Sequence, residues 1–230
     1  RVRGHVRGAG REKGMSARTP LYVFGAGGHG KVVAEAAHAG AEFHVRAFLD
    51  DDRGRWGRQW DGLPVIGGLD LLSTLEPEAK VALAVGCNRT RADLARAVMA
   101  HGRRLATVVH PSAVVARGVV LGEGTWVGPL ALLHTDAHIG RGCIVNSTSV
   151  VEHDVRVEDW AHVAPRAVLG GEVRVQEGAQ VGSGAVVLPG ITLGAWAILG
   201  AGAVLTRSLP GGVTAVGVPA RARVPLGKTG

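Results

Sequence analysis

Sulfur and aromatic rings are scarce in this chain. Its 230 residues include two cysteines, Cys87 and Cys143, and only 4% aromatics. Two cysteines cannot build a disulfide framework, so a reducing cytoplasm is the expected setting. Few aromatics together with 36 glycines exclude a bulky core and point to tight turns and thin, regular layers. No apolar run approaches the length of a membrane span, and the N-terminus lacks the apolar stretch of a signal peptide. Basic patches interleaved with aromatics are also missing, which argues against nucleic acid as a partner despite a formal charge of +7. Much of that charge sits in residues 1–14, where Arg1, Arg3, Arg7, Arg11 and Lys13 against Glu12 give a net +4. Met15 follows, and residues 1–19 read as a disordered leader.

What is present divides into two parts with different periods. Over 20–107, apolar runs alternate with helical stretches: "LYVFG", then "KVVAEAAHAG"; "HVRAFLDDD"; "GLPVIG" with a short helix "LDLLSTL"; "KVALAVG", then "RTRADLARAVMAHG"; and "LATVV". Strands alternating with helices give a parallel sheet covered on both faces. The segment has room for only half of a doubly wound fold, a Rossmann-like domain.

From Val109 the register changes. Every sixth residue through Leu205 is Val, Ile or Leu, seventeen positions in all. Such agreement arises by chance on the order of 10⁻⁸ of the time if about a third of residues qualify. Two places before the aliphatic the residue is usually small, as at Ala131, Ala161 and Ala185, and glycine often follows it, as at Gly122 and Gly182. A period of six is neither helix nor hairpin. It is the hexapeptide β-helix pattern, with the aliphatic and the small residue facing inward. Three hexads close a coil of 18 residues, and residues 108–206 make nearly six coils, followed by a C-terminal strand and tail over 207–230. Such prisms resemble the left-handed β-helix of hexapeptide acyltransferases. The hand comes from that resemblance, since it opposes the usual crossover rule.

One rung breaks the monotony: "SVVEHDVRVEDWAHV", residues 149–163. His153 lies two residues past the inward Val151 and therefore at a corner, its side chain outside. One coil later stands Gly171. A corner histidine can take a proton from a nucleophile, and a glycine N–H beside it can hold an oxyanion. Asp154 or Glu152 can fix the imidazole tautomer. The competing reading is a solvated turn histidine. His134 and His138 read as surface residues. A zinc hydratase of this fold needs a set of ligand histidines, and the spacings among His134, His138, His153 and His162 fit it poorly. No metal is expected. Cys143 should pack inward, so no cysteine nucleophile is expected either.

"GAGGHGK", Gly25 to Lys31, satisfies the dinucleotide fingerprint, with Asp50 to Asp52 after the second strand. Its backbone N–H groups can approach a phosphate at a helix start, but the chain enters its second half too soon for a nicotinamide enzyme. The loop reads as a nucleotide-diphosphate site containing His29. Alternatively, its glycines serve only strand–helix packing.

Taken together, "VFGAGGHGKVV", "FLDDD", "AVGCNRTR", "VVHPSAVV", "NSTSVVEHDVRVEDWAHVAP", "GSGAVVLPG" and "AVGVPARA" resemble sugar acetyltransferases of the sialic-acid O-acetyltransferase type, which include the bacillosamine and perosamine N-acetyltransferases. The resemblance implies a homotrimer with acetyl-CoA as co-substrate lying between neighbouring prisms and a nucleotide-linked sugar on the N-terminal domain. It assigns His153 as general base, Asp154 as its support and Gly171 as donor to the thioester carbonyl. It places Gly25, Gly27, Gly28, His29, Gly30, Asp50, Asp51, Gly86 and Asn88 at the nucleotide sugar. It places Asn146, His162, Gly171, Gly182, Gly200, Gly217 and Arg221 at acetyl-CoA. The alternatives are a nucleotide-sugar-binding scaffold on a degenerate prism and the zinc hydratase.

Overall fold

The structure, a computed structural model, describes residues 18–223. The expected disordered leader and the end of the tail fall outside the described residues, apart from Arg18 and Thr19 at the leader's edge. The N-terminal domain runs β1 (Thr19–Phe24), α1 (Gly28–Ala39), β2 (Phe43–Leu49), β3 (Gln59–Trp60), β4 (Leu63–Gly67), β5 (Lys80–Leu83), α2 (Asn88–Ala100) and β6 (Arg104–Leu105). The sheet order is β3-β4-β2-β1-β5-β6, parallel except for the β3–β4 hairpin, which the sequence reading missed. Val33, Ala34 and Ala37 of α1 pack with Phe48 and Val65 on one side of the sheet. Leu94, Ala95 and Val98 of α2 pack with Leu49 and Val81 on the other. "LDLLSTL" forms a 3-10 helix, Leu69–Thr74.

"LATVV" is not one strand. Arg104–Leu105 closes the N-terminal sheet, while Val108–Val109 already pairs with Trp126–Val127 in the second domain. The chain therefore passes from one domain to the other within two residues, and the halves share a core. Val108, Trp126 and Ile144 cluster with Leu21, Val33 and Phe48.

The second domain is a left-handed β-helix of two-residue strands. Each pairs in parallel with the strand 18 residues on, as in Val150↔Val168 and Val151↔Leu169. The inward aliphatics and the small residues before them form one continuous core. The last coil is shorter: Ile198 pairs with Thr214, and Leu209 and Ala215 fill the inward places. At every corner the chain turns through positive φ, at every sixth residue from Gly118 to Gly202. Glycine takes this conformation freely, whereas other residues pay roughly 1–2 kcal/mol. Asp136, Thr148, Asp154, Trp160, Arg166, Glu172 and Trp196 nevertheless occupy such corners.

The three outer faces differ in kind. Face 1 carries Trp126, Ile144, His162, Gln180 and Ile198 in register, and its upper part is covered by the N-terminal domain. Face 2 carries Val114, Leu132, Val150, Val168, Val186 and Val204. It is wholly apolar, and none of these residues is fully buried in the single chain. Face 3 carries Val120, His138, Arg156, Arg174 and Thr192.

Candidate active site

His153 sits at the corner between faces 2 and 3. Asp154 follows at φ 59°, a conformation that aspartate tolerates better than most residues. This turns its carboxylate back onto the ring, where Oδ2 lies 2.8 Å from Nδ1 of His153. The carboxylate can only accept, so Nδ1 carries the proton and Nε2 keeps a lone pair. The hydrogen bond to Asp154 raises the His153 pKa, since it favours the imidazolium. Gly171 stacks directly on the ring. A Cβ built there would lie 2.7 Å from both Nε2 and Cε1. Among the described residues the Gly171 N–H has no hydrogen-bond partner. A proton-accepting nitrogen and a free backbone donor therefore share one small volume.

His162 has the opposite character. It projects from face 1, two coils after the buried Trp126. Asn146 Oδ1 accepts the Ser147 N–H at 2.8 Å, which turns its amide nitrogen towards His162 Nε2 at 3.3 Å. His162 Nε2 accepts that bond, so the neutral ring is protonated at Nδ1, a buried atom without a partner among the described residues. Burial, then the charge of Arg91, then His29 lower its pKa to about 3. His29, in the first turn of α1, meets Trp126 edge-on at 4.9 Å. Burial and then Arg91 lower its pKa to about 4. Both rings are neutral at physiological pH.

The structure does not bring His153 together with Asn146 and His162 in one chain. Asn146 is at the corner between faces 1 and 2, and the whole of face 2 separates it from His153.

In the N-terminal domain, Gly25 and Gly30 are fixed by contact. A Cβ at Gly25 would approach Ala84 O to 2.6 Å, and Gly30 abuts the Gly25 carbonyl. Gly28 is open, and Gly27 has only Arg55 beside it. With Lys31, Asp52, Arg55, Arg58 and Trp60 these two line a polar cavity of about 370 Å³ at the start of α1, where helix N–H groups, Lys31 and Arg58 favour a phosphate and Arg55 is paired with Asp50 and Asp52. Arg55 and Arg58 carry no signal in the sequence, since they stand downstream of the acidic run in a segment without periodicity. Asp50 accepts the Ala26 N–H at 2.8 Å and Asp51 the Leu69 N–H at 3.0 Å. Both also line a cavity of about 420 Å³ with Phe24, Gly25, Val85 and Thr90.

Other expected positions are accounted for by packing. Asn88 is buried, and its amide donates to Gly178 O at 3.0 Å. Gly86 lends its carbonyl to Arg91 at 3.3 Å. A Cβ at Gly182 would meet the next coil's backbone at 2.6 Å, and one at Gly200 would meet Val216 at 2.7 Å. Gly217 and Arg221 belong to the hairpin that ends the prism. Cys143 is buried, which pushes its thiol up to about 12 and leaves it inert. Among the described residues no group of three or more metal-ligating side chains could hold an ion. No helix there is long and apolar enough to cross a membrane.

Comparison with known proteins agrees with both halves. The profile of the PglD N-terminal domain matches residues 20–98, and that of the bacterial transferase hexapeptide repeat matches residues 172–207. The acetyltransferase domain of PglB from Neisseria gonorrhoeae is 36% identical over 90% of this chain and all of that one, with a TM-score of 0.84. The chain belongs to the hexapeptide-repeat sugar acetyltransferases. A second structure like this acetyltransferase is a mutant of perosamine N-acetyltransferase from Caulobacter crescentus in complex with CoA and GDP-perosamine. It is 40% identical over 89% of this chain and 97% of that one, with a TM-score of 0.85. UDP-N-acetylbacillosamine N-acetyltransferase of Bacillus subtilis is 43% identical over 105 residues, which span 45% of this chain and 48% of that protein.

Proposed function

We propose that this acetyltransferase moves the acetyl group of acetyl-CoA directly onto a nucleotide-linked amino sugar, with His153 as general base. The observation that carries the reading is the His153–Asp154–Gly171 constellation: an oriented imidazole with a free Nε2 against a backbone donor, on a family member whose relatives include sugar N-acetyltransferases.

The sugar amine loses its proton to Nε2 as its nitrogen bonds the thioester carbon. The oxyanion that forms accepts the Gly171 N–H. The tetrahedral centre then expels the CoA thiolate, and protonated His153 returns the proton to sulfur. General-base help contributes roughly 10²–10⁴ in rate. The nucleotide diphosphate lies at Gly27, Gly28 and the cations Lys31, Arg55 and Arg58, with its base and ribose towards Asp50 and Asp51.

The enzyme works as a homotrimer. The upper part of face 1 is covered by the chain's own N-terminal domain and face 3 is charged, which leaves the apolar face 2 to pack against a neighbour. His153 of one protomer then meets Asn146 and His162 of the next, with acetyl-CoA between them. A thioester donor and two free thiols suit the cytoplasm.

The test is thiol release from acetyl-CoA against UDP-, GDP-, dTDP- and CMP-linked sugars, amino and hydroxyl forms side by side, with His153→Ala in parallel. Release with one amino-sugar class, lost in His153→Ala while acetyl-CoA still binds, is the expected result. Undiminished turnover in His153→Ala removes the residue from the mechanism.

A further inference from the structure

Arg91, in the first turn of α2, is the largest fully buried side chain among the described residues, and no carboxylate pairs with it there. All five of its N–H donors are used on neutral oxygens. Nε donates to Gly142 O at 2.7 Å. One terminal nitrogen donates to Val85 O at 3.0 Å and Gly86 O at 3.3 Å. The other donates to Trp160 O at 2.7 Å and Asn88 Oδ1 at 2.9 Å. Burial lowers its pKa to about 10, so it stays charged at neutral pH.

The targets explain why a cation is kept there. Val85 and Gly86 form the loop after β5, and Val85 lines the cavity of about 420 Å³ beside Asp50 and Asp51. Gly142 and Trp160 are corners of successive coils, and Asn88 reaches the next corner, Gly178. The carbonyl of Trp160 stands two residues before His162. Arg89 adds a fourth grip, lying over the Trp196 ring at 4.2 Å. A buried guanidinium that joins backbone carbonyls of two domains fixes their relative position, because its planar fork admits one arrangement.

We propose that Arg91 is a positioning residue for the transfer: with Asn88 it locks the loop after β5, whose Val85 lines the cavity beside Asp50 and Asp51, to three coils of the prism and so sets the distance between sugar amine and thioester. The transfer itself rests on the function proposed above, whereas the lock does not. The charge of Arg91 is also the second cause, after burial, of the depressed pKa values of His162 and His29.

The experiment uses the whole protein with Arg91→Gln and Arg91→Lys. Three readouts are taken: histidine titration by NMR, calorimetric binding of acetyl-CoA, UDP and GDP, and turnover with UDP- and GDP-linked amino sugars. In Arg91→Gln the midpoints of His29 and His162 rise towards the ordinary value. In both variants kcat falls about 10²-fold, as expected for a misplacement near 1 Å, while KM for acetyl-CoA holds. Lysine keeps a charge but not the fork, so its failure to rescue kcat separates geometry from charge. A merely destabilised protein would lose active fraction without moving the titrations of the folded remainder. Folded variants with wild-type titrations, nucleotide binding and kcat overturn the proposal. If neither Arg91 variant folds, Asn88→Ala decides, since it removes the grip at Gly178 and one of the five acceptors of Arg91 while the guanidinium stays, and it should lower kcat in the same direction by a smaller factor. If the wild type acetylates no sugar in the panel, the acceptor assignment fails, and titration and nucleotide binding alone judge the lock.

Discussion

Gly171→Ala tests the candidate site with the smallest possible change. The new methyl carbon would stand 2.7 Å from Nε2 and Cε1 of His153. Ordinary carbon contacts begin near 3.5 Å, so the ring must retreat by about 0.8 Å. It can do so, because the His153 side chain is 58% exposed and nothing but Asp154 holds it. Gly171 is not in the left-handed region, so alanine adds no backbone strain, and its N–H donor remains. Stability should therefore change by no more than about 0.5 kcal/mol. Turnover should not be spared. Displacing a base by close to 1 Å costs about 10²-fold, roughly 2.7 kcal/mol of barrier. The assay is kcat for CoA release at saturating substrates, alongside Tm and the Kd for acetyl-CoA. A kcat within twofold of wild type would refute the reasoning, for it would mean that the Nε2–Gly171 spacing does not matter to the chemistry.

Asp154→Asn should move the acid limb of kcat to lower pH. The carboxylate raises the His153 pKa, the base acts only when deprotonated, and activity appears as pH climbs through that pKa; an unmoved limb in a full pH–rate profile would count against Asp154 as the partner. Val168→Glu, on the apolar face 2, should convert trimers to monomers in sedimentation and abolish turnover with them, since an unpaired carboxylate buried there costs several kcal/mol. His162 and His29 have pKa values near 3 and 4 when folded, against about 6.5 unfolded, so the unfolded chain binds more protons in between. Their contribution is full above about pH 6.5 and is lost as pH falls towards those values, about 1.4 kcal/mol per unit for each ring, or on the order of 4 kcal/mol from pH 6.5 to 5. Urea midpoints at the two pH values measure it, and His29→Gln with His162→Gln should flatten the slope.

The prism was legible in the sequence because a six-residue repeat has one physical solution, and each inward position reports it again. The corners were not. Gly142 and Gly178 advertise positive φ, but Thr148, Trp160 and Arg166 adopt it with no signature, held by the coils on either side. The tie between the domains was equally hidden. Arg91 is satisfied by carbonyls, and a backbone carbonyl looks the same beside any side chain. The resemblance placed Asn88 at the nucleotide sugar, whereas its amide nitrogen donates to the prism at Gly178, as Arg91 does at Gly142 and Trp160. Gly182 and Gly200 read as ligand positions, and their contacts give a packing reason for glycine that the period alone did not reveal.

His153 and His162 are nine residues apart, which is half of an 18-residue coil, so they cannot share a corner. Asn146 and His153 are seven apart, which carries the chain from one corner past a two-residue strand to the next. A single prism therefore holds His153 on one edge and the Asn146–His162 pair beyond another, with an apolar face between. Burying that face against a second copy removes valine surface from water and brings unlike edges together in one step. If Val168→Glu left a monomer that still turned over at the wild-type rate, the base and the Asn146–His162 pair would act in separate places, and the role of His162 would have to be sought within its own chain, beside His29 and Trp126.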